Sequence, residues 1–292
     1  MGRLVSIDGS IVAPDEARVS VYDRGFLYGD SVFETIRTYR GAPFALADHM
    51  DRLERSADRV GIPMPISKEA MAREVERAIE AAANPESYIR AMLTRGAGPL
   101  GLDPSLAQEP LRVIFLEPLV PFPASMYRDG VSVVTVRTER AADAASGAKV
   151  GNYLASLLAL RVAKEASAHE ALIVGADGRV VEGTTSNVFA VRDGALLTPP
   201  EEAGILPGIT RAHLLDAASG IGVSVRFERL TPDELAASAE VFLSSSIREV
   251  LPVIRVDRAQ VGDGRPGPIT RALHAAFRER IGLAGDPMPW EG

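Results

Sequence analysis

Only three lysines, Lys68, Lys149 and Lys164, stand among the 32 basic residues of this 292-residue chain. Chemistry that needs a primary amine therefore has few places to occur. Lys149 lies in "GAKVGNYLASLLALRVAKEA" (residues 147–166), followed by Gly151 and flanked by small residues that let backbone or ligand approach closely. A lysine partly withdrawn from water loses some stability of its charge, and the neutral amine is a nucleophile towards an aldehyde. Read alone, the same residue is more ordinarily a surface lysine at a helix start.

Three further stretches bear on it. In "VVEGTTSNVF", Glu182 ends a strand pattern just before Gly183. A carboxylate at the rim of a sheet could pair with a protonated ring nitrogen, or could simply be solvated. "GILPGITR" sets Gly204 and Gly208 ahead of a helix whose first turn offers N–H groups, the Thr210 hydroxyl and a positive dipole end. That is a phosphate site or an ordinary loop-to-helix junction. "SSSIRE" (residues 244–249) could add phosphate-facing hydroxyls and amides, or be a polar turn. Taken jointly, the four pieces specify an amine that forms an imine, an acid for a pyridine nitrogen and two loops for one phosphate. Those are the handles of pyridoxal 5'-phosphate.

Composition excludes several other classes. The net charge of −7 comes without a long basic run, so nucleic acid is not expected as a partner. The absence of cysteine removes disulfides, thiolate nucleophiles and thiolate metal sites. His49, His169, His213 and His274 show no metal-ligand spacing, so no metal is expected, and His49 reads as a helix-surface residue. No run of eighteen apolar residues predicts a membrane span, and the first residues lack the pattern of a signal peptide. A cytoplasmic protein is the expectation.

The elements that must position these residues alternate between strand and helix patterns, which predicts an α/β (α+β) chain. Asp-Gly turns at residues 8–9, 177–178 and 193–194 predict β-hairpins, and Gly41 marks another. Helices are expected over 48–60, capped by Asp48, over about 67–83, capped by Ser67, and over 268–281. A further helix follows Asn152, with Leu154, Leu158 and Val162 on one face, after an Ala-rich loop. The prolines of "EPLVPFPAS" suggest a linker. The predicted organisation is an N-terminal α/β domain (1–118), a linker (119–130) and a C-terminal cofactor-binding α/β domain (131–292).

At this point a resemblance becomes specific. "DRGFLYGDSVFETIR", "HMDRLERSA", "YIR…TRG…LGLDP", "KVGNYL", "EGTTSNVF", "LPGITR" and "SIREVLPV" occur in that order, and the chain resembles the class IV (fold-type IV) aminotransferases over roughly residues 5–255. The resemblance implies two α/β domains with the cofactor between them and an active site assembled in a homodimer or a higher oligomer. It implies that Lys149 holds pyridoxal phosphate as a Schiff base and moves the substrate Cα proton. Glu182 would hold the pyridine nitrogen, and Arg52, Ile209, Thr210 and Ser246 the phosphate, with Tyr153 near the phenolic oxygen. Tyr28, Phe33, Thr35, Arg37, Tyr88, Arg90, Ile247 and Arg248 would line the substrate site.

The branch votes are mixed. The nearest resemblance is to branched-chain aminotransferases, through Tyr28, Phe33, Arg37, Tyr88 and Arg90, with ping-pong transfer from an aliphatic L-amino acid to a 2-oxo acid such as 2-oxoglutarate. Thr35 stands where that branch usually has glycine and where aminodeoxychorismate lyases carry threonine. Arg248 replaces a small residue. A D-amino acid or (R)-amine aminotransferase, a 4-amino-4-deoxychorismate lyase releasing pyruvate, and a non-catalytic phosphate-ligand-binding protein are the alternatives.

Overall fold

The computed structural model describes residues 2–107, 109–138 and 145–291. Most of the Ala-rich stretch expected as a loop before Lys149 lies outside them. The chain divides into two compact units, Met1–Val120 with Gly147–Tyr153, and Pro121–Ser146 with Leu154–Gly292. The first unit thus includes a short segment around Lys149 that the local sequence pattern assigns to the C-terminal domain.

In the first unit the strands β1 (Leu4–Ile7) and β2 (Ser10–Val12) form the Asp-Gly hairpin, and α1 (Arg24–Tyr28) leads into β3 (Ser31–Tyr39) and β4 (Ala42–Pro43). The helices α2 (Leu46–Val60) and α3 (Lys68–Ala82) precede β5 (Ser87–Thr94) and β6 (Leu111–Pro118). The six strands form one sheet in the order β2-β1-β6-β5-β3-β4. Because side chains alternate along a strand, β3 and β5 send Val32, Ile36, Ile89 and Ala91 to one face. There they meet Leu53 and Val75 of the helices in a single core. The Ser67 hydroxyl caps α3 by accepting from the Ala70 amide. Asp48, expected as the cap of α2, lies inside its first turn, and the capping position is Ala45 in the left-handed region at φ 48°.

The second unit contains α4 (Ala124–Arg128), β7 (Val131–Arg137), α5 (Leu154–Glu165), β8 (Glu170–Val174), β9 (Val180–Gly183), β10 (Asn187–Arg192) and β11 (Ala195–Thr198). It continues with α6 (Ile209–Gly220), β12 (Val225–Phe227), α7 (Pro232–Ala236), β13 (Glu240–Ser245), β14 (Glu249–Val256), β15 (Ala259–Gln260) and α8 (Pro268–Arg280). Nine strands form a mixed sheet in the order β12-β11-β10-β13-β14-β7-β8-β9, with β15 on β14. The pairs β14–β7, β7–β8 and β11–β12 are parallel and the others antiparallel. Val133, Leu172, Val188, Leu243 and Leu251 are core residues of this sheet. Among the described residues no helix is long and apolar enough to cross a membrane, and no group of three or more His, Asp or Glu side chains could hold a metal ion.

Candidate active site

The lysine segment is held as an extra edge of β3. The Phe33 amide donates to the Lys149 carbonyl at 2.9 Å, and the Gly151 amide to the Ser31 carbonyl at 2.7 Å. Val32 and Val150 pair as an isolated antiparallel bridge. A side chain at Gly151 would collide with the Ser31 hydroxyl, which would have to turn away to admit it. The Lys149 amide also donates to the Ser56 hydroxyl on α2 (3.1 Å). The backbone is therefore fixed while the side chain extends onto the sheet. Lys149 Nζ lies 3.3 Å from Tyr153 Oη and 4.7 Å from the Phe33 ring centroid.

The register of β3 against β5 gathers the expected substrate residues. Thr35 is opposite Arg90, and Arg37 is opposite Tyr88. With Phe33 two residues before Thr35, these five share the face away from the helical core. The Arg90 guanidinium lies 3.7 Å from the Phe33 ring centroid, and Tyr153 meets the same ring edge-on at 5.2 Å. Tyr28 is engaged elsewhere in this unit: its hydroxyl accepts from the Gly101 amide at 3.2 Å.

Arg52 belongs to the opposite, helical face. Its Nε and Nη2 donate to Glu34 at 2.8 and 2.6 Å, and His49 Nδ1 lies 2.7 Å from the same carboxylate. All three residues are buried. His49 is therefore not a helix-surface residue: α2 turns it onto the strand, where the Glu34 carboxylate binds it. Sequence reasoning misses Glu34 and His49, because neither carries a motif of its own and their pairing depends on where α2 lands.

In the second unit, Glu182 stands on β9 and accepts from the Leu206 amide at 2.9 Å. The Leu206 carbonyl in turn accepts from Asn187 Nδ2 at 3.0 Å, which ties the "LPGIT" loop to β10. A side chain at Gly208 would strike Asn187 Oδ1. Gly208 is also the N-cap of α6, which begins at Ile209. The Thr210 hydroxyl is buried and has no hydrogen-bond partner among the described residues. An orphaned buried hydroxyl in the first turn of a helix fits an anionic oxygen that would complete it. The residues present thus suit a phosphate. Ser246 and Ile247 lie half-buried in the turn between β13 and β14. Arg248, in the same turn, donates to Glu170 Oε2 at 2.8 Å and to Thr185 Oγ1 at 2.9 Å.

The family model for amino-transferase class IV matches residues 31–256. A Methanocaldococcus jannaschii protein, provisionally named a branched-chain-amino-acid aminotransferase, is 38% identical over 277 residues, covering 94% of this chain and 95% of that one. A Bacillus licheniformis D-alanine aminotransferase is 31% identical over 277 residues, covering 95% and 96%. The solved branched-chain aminotransferase of the archaeon Thermoproteus uzoniensis, with norvaline, matches with a TM-score of 0.88 at 32% identity, covering 99% of this chain and 98% of that one. The chain belongs to the class IV aminotransferases, and its mixed α/β fold is that of the family.

Proposed function

We propose that this pyridoxal-phosphate-dependent enzyme moves the amino group of an aliphatic, branched-chain L-amino acid to a 2-oxo acid such as 2-oxoglutarate. The observation that carries the reading is the single face of β3 and β5, where Phe33 is flanked by the Arg90 guanidinium at 3.7 Å and Lys149 Nζ at 4.7 Å. An aromatic wall suits an apolar side chain, and one guanidinium suits the second carboxylate of an acidic partner. One face serving both substrates in turn predicts ping-pong kinetics. The names of the relatives from M. jannaschii and T. uzoniensis support a branched-chain donor.

Pyridoxal phosphate, when bound, supplies an electron sink for the negative charge left at the substrate Cα. We assign Lys149 Nζ to hold the cofactor and then to carry the Cα proton, with the Tyr153 hydroxyl beside it at 3.3 Å. Glu182, held in place by the Leu206 amide, would hold the protonated ring nitrogen. Arg52, the Ile209 and Thr210 amides, the Thr210 hydroxyl and Ser246 are assigned to the phosphate, and Ile247 to the substrate. The reading includes a homodimer. Leu154, Leu157, Leu158 and Val162 leave an exposed apolar stripe on α5 at 62%, 60%, 47% and 42%, a surface that suits a second copy.

A second reading, transfer from a D-amino acid, is favoured by the 31% identity to D-alanine aminotransferase. Thr35 beside Arg90 keeps lyase chemistry as a third. The test mixes the cofactor-loaded protein separately with L-leucine, D-alanine and aminodeoxychorismate, following the visible cofactor absorbance and the products. Bleaching by L-leucine with formation of its oxo acid supports the proposal. Bleaching by D-alanine alone replaces it with the second reading, and catalytic pyruvate release from aminodeoxychorismate with the third.

A further inference from the structure

Arg248 carries the charge that the turn between β13 and β14 would offer a substrate, yet both terminal nitrogens of its guanidinium are already engaged, and only the buried Nε has no hydrogen-bond partner among the described residues. Nη1 donates to Glu170 Oε2 at 2.8 Å and Nη2 to Thr185 Oγ1 at 2.9 Å. Glu170 opens β8 and is fully buried. Its other oxygen accepts from the Thr185 amide at 2.6 Å, the Thr184 hydroxyl at 2.9 Å and the Thr185 hydroxyl at 3.1 Å. The turn is further held by the Arg248 amide on Ser245 Oγ (3.3 Å) and by the Tyr127 hydroxyl on the Arg248 carbonyl (3.1 Å). A buried carboxylate needs a compensating charge, and Arg248 is the cation bonded to it. Were the guanidinium to swing to a substrate carboxylate, Glu170 would be left buried and unneutralised.

The two loops that this ion pair joins are the ones that matter. Thr184 and Thr185 follow Glu182 by two and three residues, and Arg248 follows Ser246 by two. We propose that Glu170 and Arg248 are a positioning pair: a clamp that locks the loop after Glu182 to the Ser245–Arg248 turn, and so fixes the groups that hold the cofactor ring nitrogen and phosphate. Arg248 is then not a ligand of the substrate carboxylate. The inference rests on the proposed roles of Glu182 and Ser246.

The test uses the full-length enzyme and the variants Glu170→Gln, Arg248→Lys and Arg248→Ala, read in two ways. The first is the Kd for pyridoxal phosphate by reconstitution, beside the KM for the amino donor. The second is amide hydrogen exchange of Ser245–Arg248 without cofactor, which reads the clamp whatever the enzyme's substrate. The clamp predicts faster exchange in that turn for both Glu170→Gln and Arg248→Ala. It also predicts cofactor affinity weaker by about tenfold to a hundredfold in both, with a smaller change in KM. Arg248→Lys should rescue part of the loss, since an ammonium reaches Glu170 but cannot also hold Thr185 in the same plane. A KM raised in Arg248→Ala with cofactor affinity unchanged, and Glu170→Gln behaving as wild type, would overturn the clamp in favour of a substrate ligand. Unchanged exchange in the turn of Glu170→Gln would overturn it as well. Faster exchange with unchanged cofactor affinity would keep the mechanical clamp and refute the roles given to Glu182 and Ser246.

Discussion

Burial alone would raise the Glu34 carboxyl, yet the charge and hydrogen bonds of Arg52, with the hydrogen bond from His49, bring it down to about 2. The carboxylate is thus ionised at neutral pH and fixes the Arg52 side chain by two hydrogen bonds. For His49, burial lowers the pKa more than the bond to Glu34 raises it, so the ring stays neutral beside Arg52. Removing the Glu34 charge leaves Arg52 buried without its partner. Glu34→Gln should therefore cost on the order of 3 kcal/mol, measured by urea unfolding at neutral pH, and should weaken pyridoxal phosphate binding through a mobile Arg52. Arg52 is legible in "HMDRL", because a family motif marks it. Glu34 is not, since a carboxylate at an inward strand position carries no local signal, and only the packing of α2 reveals its partners.

At the scale of elements, α5 shows where periodicity succeeds and where it misleads. Leu154, Leu158 and Val162 do fall on one helical face, but Ala159 and Ala163 are the residues buried against Ala171 and Ile173. The small side chains let the helix lie close to β8, with Leu160 packed beside them, while Leu154, Leu157, Leu158 and Val162 face out. Periodicity locates a stripe but does not say whether the same chain covers it. If a second copy covers it, Leu157→Glu combined with Leu158→Glu should convert the dimer to a monomer with unchanged helix content, checked by light scattering and circular dichroism. At the start of α3, Ser67→Ala removes the cap on the Ala70 amide and should lower stability by about 1 kcal/mol, checked by chemical denaturation. The hairpins at Asp8-Gly9 and Asp193-Gly194 are readable because both turn residues adopt positive φ, which Asp-Gly accommodates. The five-residue helices α1, α4 and α7 are not, being shorter than two turns of a 3.6-residue period.

Across the whole molecule, acid stability follows from groups buried in their uncharged or paired forms. Burial lowers His49 and His274 below their usual 6.5 and takes His169 down to about 4. The unfolded chain takes up these protons first, so the contribution of the histidines is complete above about 6.5 and is lost as the pH falls below it. Glu34 adds a second loss between its ordinary 4.5 and about 2. Thermal melting should show the midpoint falling in these two ranges. His169→Gln should remove part of the first, and a midpoint flat from neutrality to the lower range would contradict the assignment.

The two units also explain why the location of Lys149 is hard to read from sequence. The Gly147–Tyr153 segment is adjacent in sequence to α5 of the second unit but pairs with β3 of the first, a long-range contact that the local pattern does not encode. Its lysine is the centre of the proposed chemistry. The most direct measurement adds pyridoxal phosphate to the purified protein and to Lys149→Ala, recording the visible absorbance of lysine-bound cofactor and amino transfer from L-leucine to 2-oxoglutarate. The wild type should show both the band and turnover, and the variant should lose the band and nearly all the rate. A variant that keeps the band and the rate would contradict the assignment of this lysine.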